Sequence, residues 1–335
     1  MSDTNLSDAN LDRAQLINAN LSDANLRKAN LSGANLERAN LSAASLIYVN
    51  LSNANLEHAD LIDADLLEVD LSDAHLSHAN LWGADLSDVY FLGTNCTGAN
   101  FSNAFLVGAN TDDANLQGAQ IDSAIFEMQK IRFRDIISRY ATGERNFSGL
   151  IVQSDDIAKG ERWKLGQFKG LDLSGIILRN SSIQRIGLYM EGVILRGADL
   201  TRVDLGESNF EGADLSNAIL RETRIFQLVF EFANLSGAGL TGARLTESSF
   251  FYANFSKVKF NKARISNLHF VRDNLTEATF KGARLKSVRF EKANLSRTDF
   301  HGADFGVKDN SLFWAKFRDC RFEETLMPDG SVLRN

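Results

Sequence analysis

Four arginines recur at intervals of 20, Arg224, Arg244, Arg264 and Arg284. In a chain that repeats with that period they would stack on one face about one strand spacing apart, with Lys262, Lys281, Lys286 and Arg289 beside them. Stacked like charges repel unless an anion sits among them, and the planar guanidinium fork suits carboxylates and phosphates. The competing reading is structural: guanidinium groups lie flat on one another, their stems shield the wall, and Glu222 or Glu247 relieves part of the charge. His58 and His78 share the same interval, with His75 nearby. Two imidazoles could share a metal ion, but a structural zinc site takes four ligands and no cysteine joins this group. His269 and His301 are isolated. Cys96 and Cys320 lie far apart in the sequence, which argues for a reduced compartment and against a disulfide. There is no glycine-rich phosphate loop, no nucleophile elbow and no pair of carboxylates set in a cleft. The residue types therefore point away from an enzyme and imply no metal and no cofactor.

What positions these residues is a period of five. From Leu6 to Phe126 every fifth residue is large and apolar, apart from Cys96 and Thr111, and the residue two before it is usually Ala. The unit reads Ala-Asn/Asp-Leu-X-X, as in Ala9-Asn10-Leu11, Ala24-Asn25-Leu26, Ala59-Asp60-Leu61 and Ala84-Asp85-Leu86. The same register returns from Val193 to Phe305 and is weaker over Phe168–Leu188 and Leu312–Phe322. Seven residues instead of five separate Leu188 from Leu195 and Phe305 from Leu312, so two residues at each place are expected to bulge outward. Phe210, Phe230, Phe250, Phe270 and Phe290 are spaced by 20, as stacked aromatics on one wall of a 20-residue coil would be. The single proline, Pro328, lies in the tail, consistent with a backbone ladder that needs its donors throughout the coils.

This repeat resembles the pentapeptide repeat family. The resemblance implies an all-β fold, a right-handed quadrilateral β-helix in which four pentapeptides make one square coil and the central Leu and preceding Ala point inward. Stability then comes from many similar layers, each buried Leu or Phe contributing roughly 1.5–3 kcal/mol. Some members are dimeric DNA mimics that bind type II topoisomerases and confer fluoroquinolone resistance. The segment Ser138–Gly149 also resembles connectors in cyanobacterial pentapeptide repeat proteins.

After Phe126 the spacing changes. Met128, Ile131, Phe133, Ile136, Ile137 and Tyr140, with Gly143 as a stop, predict three or four turns of amphipathic helix whose apolar face covers the open end of a β-helix. Phe147 and Val152 read as a false start of the second repeat, and Gln153–Lys164 as a loop. The expected organisation is an acidic β-helix over 1–126, a helix and connecting loop over 127–165, a basic β-helix over 166–325 and a tail over 326–335. Residues 1–126 hold 17 acidic and 4 basic side chains, and the remainder 26 and 32, within a chain of net charge −7. About six coils at roughly 4.8 Å each span about 30 Å, a length over which duplex DNA carries roughly 18 phosphates. Asp63, Asp73 and Asp88 are the acids a DNA mimic would use. Against that reading, Asp60, Asp65, Asp70 and Asp85 precede central residues, where Asn and Asp serve turn hydrogen bonding, and the tail carries no helix of the kind those members use to dimerise.

Outward apolar residues are the other candidate contacts. Ile47, Ile62, Leu67 and Trp82 follow central residues on two neighbouring faces, with Tyr48 alongside. Phe232 and Tyr252 form one outward column, and Phe251 and Val271 another on the same face, near Phe226 and Val229. Contiguous exposed apolar patches mark interaction sites, unless the helix, the connecting loop or the tail covers them. The sequence reads as a cytoplasmic, non-enzymatic protein-binding or regulatory scaffold that engages an unidentified protein through its side walls. The alternatives are a gyrase-binding DNA mimic acting through the acidic half, and polyanion binding by the Arg column. No leader and no membrane-spanning stretch is visible.

Overall fold

The computed structural model describes residues 4–111, 113–153, 169–183, 190–206, 208–306 and 316–334. It divides into two compact units, Met1–Met128 and Gln129–Asn335, each with its own apolar core. Both are built of square coils that pair in parallel, which is the right-handed quadrilateral β-helix of the repeat.

In the first unit each pentapeptide makes one wall and one corner. The central side chain is inward and fully buried, as at Leu26, Leu31, Leu36 and Leu41. Its N–H reaches the next coil, Leu26 to the carbonyl of Ser45 at 2.8 Å, while Asn25 N–H reaches back to Thr4 at 2.9 Å. The corner closes with Ala29 N–H donating to the Leu26 carbonyl at 2.9 Å. Its third residue, Lys28, has φ 59°, the sign a type II turn demands. The residue before the centre holds this corner: Asn25 Oδ1 accepts Arg27 N–H at 3.3 Å, and Asn25 Nδ2 donates to Asn5 Oδ1 one coil away at 2.9 Å. Ala two places before the centre is the residue small enough to face inward beside a Leu in a filled coil.

The second unit has four walls that we label by their central residues. Wall A carries Leu205, Ile225, Leu245, Ile265 and Leu285; wall B carries Phe210, Phe230, Phe250, Phe270, Phe290 and Phe317; wall C carries Leu173, Leu195 and Leu215, and wall D Leu178, Leu200 and Leu220. The wall B rings stack at 5.5, 5.5, 5.5, 5.0 and 5.2 Å between centroids. A second stack, Phe260, Phe280 and Phe300, meets them edge on. On wall A the pairing lengthens to three-residue strands, Arg224–Phe226, Arg244–Thr246, Arg264–Ser266 and Arg284–Lys286, within an eight-stranded parallel sheet. Some corner donors of this unit turn to side chains of the next coil, Leu228 N–H after wall A to Ser248 Oγ at 3.1 Å and Ala253 N–H after wall B to Asp273 Oδ1 at 2.8 Å.

Several expectations shift. The helix is Phe133–Ala141, nine residues, because Gln129–Arg132 forms a strand paired with Leu150–Gln153. Met128 and Ile131 therefore lie outside it. Ile136 is fully buried with Phe147, Leu150, Leu173 and Ile176, and Tyr140 donates to the Ser174 carbonyl at 2.8 Å, so the helix covers the first coil of the second unit. Phe147 is not a false start: its N–H bonds Ile177 at 2.7 Å, in register with the coils that follow. The first two-residue excess falls between Ile183 and Met190, since Met190 N–H bonds Asn209 and Ile183 pairs with Leu205. At the second, Phe317 stacks on Phe290, so seven extra residues intervene after Phe305. Leu188, Leu312 and the loop from 154 onward lie outside the described residues. The tail adds a hairpin, Glu323–Leu326 with Val332–Arg334, and Met327 is buried.

Candidate functional site

The arginine column is a register of backbone pairing. Arg224, Arg244, Arg264 and Arg284 stand opposite one another along wall A, all exposed, and the column is bounded by Asp204 at one end and Asp304 at the other. Arg224 Nη1 lies 4.0 Å from Asp204 Oδ2. Of the acids foreseen beside the column, Glu222 pairs with Arg202 at 2.8 Å, and Glu247 accepts from Gln227 at 3.1 Å. Of the cations beside the column, Lys281 pairs with Asp299 at 3.3 Å.

Wall B carries aromatics outside as well as inside. Phe232 and Tyr252 are 58% and 48% exposed and stack at 5.5 Å with 5° between ring planes. Both sit at left-handed corner positions, φ 58° and 55°, which bulky side chains rarely occupy. Phe232 N–H bonds the carbonyl of Phe251 at 2.8 Å, which sets exposed Phe251 against the pair. Arg272 continues the column: its guanidinium lies 5.4 Å from the Tyr252 ring centre and donates to the Tyr252 hydroxyl. Phe226 is also exposed, on wall A. The expected cluster of Phe232, Phe251 and Tyr252 is thus brought together, with an arginine at its edge.

The first unit brings its candidates together less openly. Ile47 and Leu67 occupy adjacent coils of one wall, Ile62 and Trp82 adjacent coils of another. Ile47 is only 9% exposed, Ile62, Leu67 and Trp82 are half-buried, and Tyr48 is 45% exposed. Tyr90 and Leu92, each 60% exposed, are larger outward apolar surfaces that the sequence reading passed over. They replace the polar residues usual on either side of a central residue, here Phe91, and that substitution was the available signal. The acids before central residues serve the corners: Asp60, Asp65, Asp70 and Asp85 accept the N–H of Ile62, Leu67, Ser72 and Ser87 at 3.1, 3.3, 2.9 and 3.0 Å. His58 and His78 stack at 5.2 Å, and no group of three or more metal-capable side chains converges among the described residues. Both cysteines are free thiols, and burial pushes Cys96 up to about 12.

Sequence reasoning also missed a corner cleft between walls A and B, lined by Asn267, His269, Ser287, Arg289 and Lys316. The insertion before Lys316 hides its place in the column, because 27 residues rather than 20 separate it from Arg289.

Among solved structures, the chain is similar to HetL, a pentapeptide repeat protein involved in heterocyst differentiation regulation from the cyanobacterium Nostoc sp. strain PCC 7120. The two are 24% identical over 95% of this chain and 92% of HetL, with a TM-score of 0.27. Rfr23, from the cyanobacterium Cyanothece 51142, is 38% identical over 28% of this chain and 65% of its own, with a TM-score of 0.28. Full-length QnrB1, a plasmid-mediated fluoroquinolone resistance protein, is 12% identical over 77% of this chain and 93% of its own, with a TM-score of 0.16. Comparison with curated proteins gives no match. The model of pentapeptide repeats in eight copies matches residues 1–38, 39–77, 70–106, 90–127 and 189–225, and that of the pentapeptide repeat region matches 243–327. With square coils, inward Leu and Phe and the corner hydrogen bonds all in place, the chain belongs to the pentapeptide repeat family.

Proposed function

We propose that this protein is a non-enzymatic scaffold that binds a protein partner through the outer face of wall B. The observation that carries this reading is the exposed stack of Phe232 and Tyr252, flanked by Phe251 and ended by Arg272. A coil that can bury Leu and Phe in its interior leaves these rings in water, on corner positions that disfavour them. Aromatic side chains with an adjacent Arg are the residue types that supply most binding energy in protein interfaces, and they suit a partner segment that is apolar with acidic residues beside it. The filled interior supports a binding role over a catalytic one, since catalysis needs a water-excluded pocket. No helix of the described residues is long and apolar enough to cross a membrane.

The test is affinity capture from lysate with the full chain and with a Phe232→Asn, Tyr252→Asn double variant, read by mass spectrometry. Asn tolerates left-handed corners, so the variant keeps the fold. A protein captured by the wild type and by Trp82→Ala but lost with the double variant supports wall B; identical captures with all baits sink the reading. The DNA-mimic alternative rests on Asp63, Asp73 and Asp88 and predicts that the purified protein protects gyrase supercoiling from a quinolone. The corner hydrogen bonds of Asp60, Asp65, Asp70 and Asp85 give those four acids a structural role instead.

A further inference from the structure

The corner cleft between walls A and B has a volume of about 400 Å³ and is lined by Asn267, His269, Ser287, Arg289 and Lys316. Three of these come from successive coils in one register. Arg289 stands opposite His269, and pairing of Phe290 with Phe317, with Phe290 N–H bonded to the Lys316 carbonyl at 2.7 Å, sets Lys316 beyond Arg289. Their side chains leave the same wall about one strand spacing apart. Asn267 and Ser287 occupy the left-handed corners, each with φ 54°, and add an amide and a hydroxyl to the rim.

Several cations elsewhere in this unit have a counter-charge. Arg202 pairs with Glu222, Arg196 with Asp214 and Lys281 with Asp299. Among the described residues, the side chains of His269, Arg289 and Lys316 have no hydrogen-bond or ion-pair partner. Glu291, on the same strand as Arg289, is 3.7 Å from Lys292 and does not line the cleft. Burial and the Arg289 charge hold the Lys316 ammonium below the usual lysine range, as befits a cation without a counter-charge. Among the described residues the lining holds no carboxylate. It offers a guanidinium fork, an ammonium, an imidazole, an amide and a hydroxyl, all capable of donating. One carboxylate brings a single charge and two oxygens, whereas a terminal phosphoryl group brings close to two charges and three strong acceptors.

We propose that this cleft binds a phosphate-monoester dianion, with Arg289 and Lys316 as the charged ligands and His269, Asn267 and Ser287 as further donors. The site lies outside the aromatic cluster and stands independently of the scaffold reading. Calorimetric titration of the full chain at low salt, with inorganic phosphate in one arm and glycerol phosphate in another, tests it on the wild type and on Arg289→Gln, Lys316→Gln and Lys257→Gln. The last removes an exposed cation of wall C that sits 3.9 Å from Glu277. Expected is one saturable site per chain, weakened at least about tenfold by Arg289→Gln or Lys316→Gln, unchanged in Lys257→Gln and weakened by added salt. Tighter binding of the ester than of inorganic phosphate points to a phosphorylated molecule, and equal binding to the free ion. Arg289 is exposed, so its variant decides the matter if Lys316→Gln perturbs folding. Absence of saturation up to about 10 mM of either ligand, or equal binding by the wild type and Arg289→Gln, overturns the proposal.

Discussion

Asp273 stands where the repeat places Ala, between Ala253 and Ala293 in the same inward column, and is 1% exposed. One carboxyl oxygen accepts Ala253 N–H at 2.8 Å; the other is buried with no hydrogen-bond partner among the described residues. Burial pushes this carboxyl up to about 8, against an ordinary value of 3.8. The folded state therefore holds a proton that the unfolded state has released. The stability this group allows is fully present below its unfolded value and is lost as pH rises through about 8, at up to about 1.4 kcal/mol per pH unit in between. Asn at this position keeps the acceptor for Ala253 and does not titrate. The melting temperature of the wild type should fall between about pH 4 and 8 relative to that of Asp273→Asn, followed by circular dichroism. Parallel curves for the two proteins would assign the alkaline loss to another group. The acid was legible in the sequence as a break in the Ala column, but its consequence depends on the corner N–H of the preceding coil, which only the fold supplies. Exchange of Phe232 and Tyr252 for Asn, by contrast, should change stability by no more than about 1 kcal/mol, because both rings are exposed and Asn is favoured at such corners. A larger drop in denaturant midpoint would mean that the stack supports the wall.

At the scale of elements, the coils and the cap should fail differently. Phe270 is fully buried between Phe250 and Phe290 and meets Phe255, Phe260 and Phe280 edge on. Phe270→Ala should cost about 3–5 kcal/mol and lower hydrogen-exchange protection across the neighbouring coils. Ile136→Ala, at about 2–5 kcal/mol, should lower protection mainly at Phe147, Gly149 and Leu173, where the helix covers the first coil. Equal losses at Leu275 would show that the cap and the inner coils open as one. The walls were legible because a pentapeptide carries its own instructions: an inward Leu, a small inward neighbour and a corner acceptor within five residues. The interruptions were not. Leu188 and Leu312 satisfy the five-residue spacing as well as Met190 and Phe317 do, and only backbone pairing with Phe210 and Phe290 chooses between them. Likewise the apolar spacing of Met128 and Ile131 fits a helix, but the pairing of Gln129–Arg132 with Leu150–Gln153 overrides it. The candidate aromatic cluster followed directly from the 20-residue interval, whereas the cleft at Lys316 was hidden by the second insertion.

The whole molecule joins two units of opposite charge. Residues 1–128 carry 18 acidic and 4 basic side chains, and residues 129–335 carry 25 and 32, net −14 and +7, which together give the chain its −7. The first unit has only four basic side chains for its 18 acids; Arg13 and Arg38 are each paired with the acid immediately before them. Repulsion among the remaining carboxylates opposes the compact state of that unit, and salt shortens its reach from about 30 Å at 0.01 M to about 8 Å at 0.15 M. In the second unit acids and bases interleave through pairs such as Arg202 with Glu222 and Arg196 with Asp214, so salt removes attraction there along with repulsion. Raising the salt over that range should therefore slow amide exchange across Leu26–Leu106 and leave Leu215–Leu295 unchanged or slightly faster, read by mass spectrometry on the full chain. In a solenoid each coil contacts only its neighbours, so a charge effect confined to one unit can remain there. A uniform response along the whole chain would mean that the two units unfold as one cooperative body and that the charge difference between them does not govern their stability.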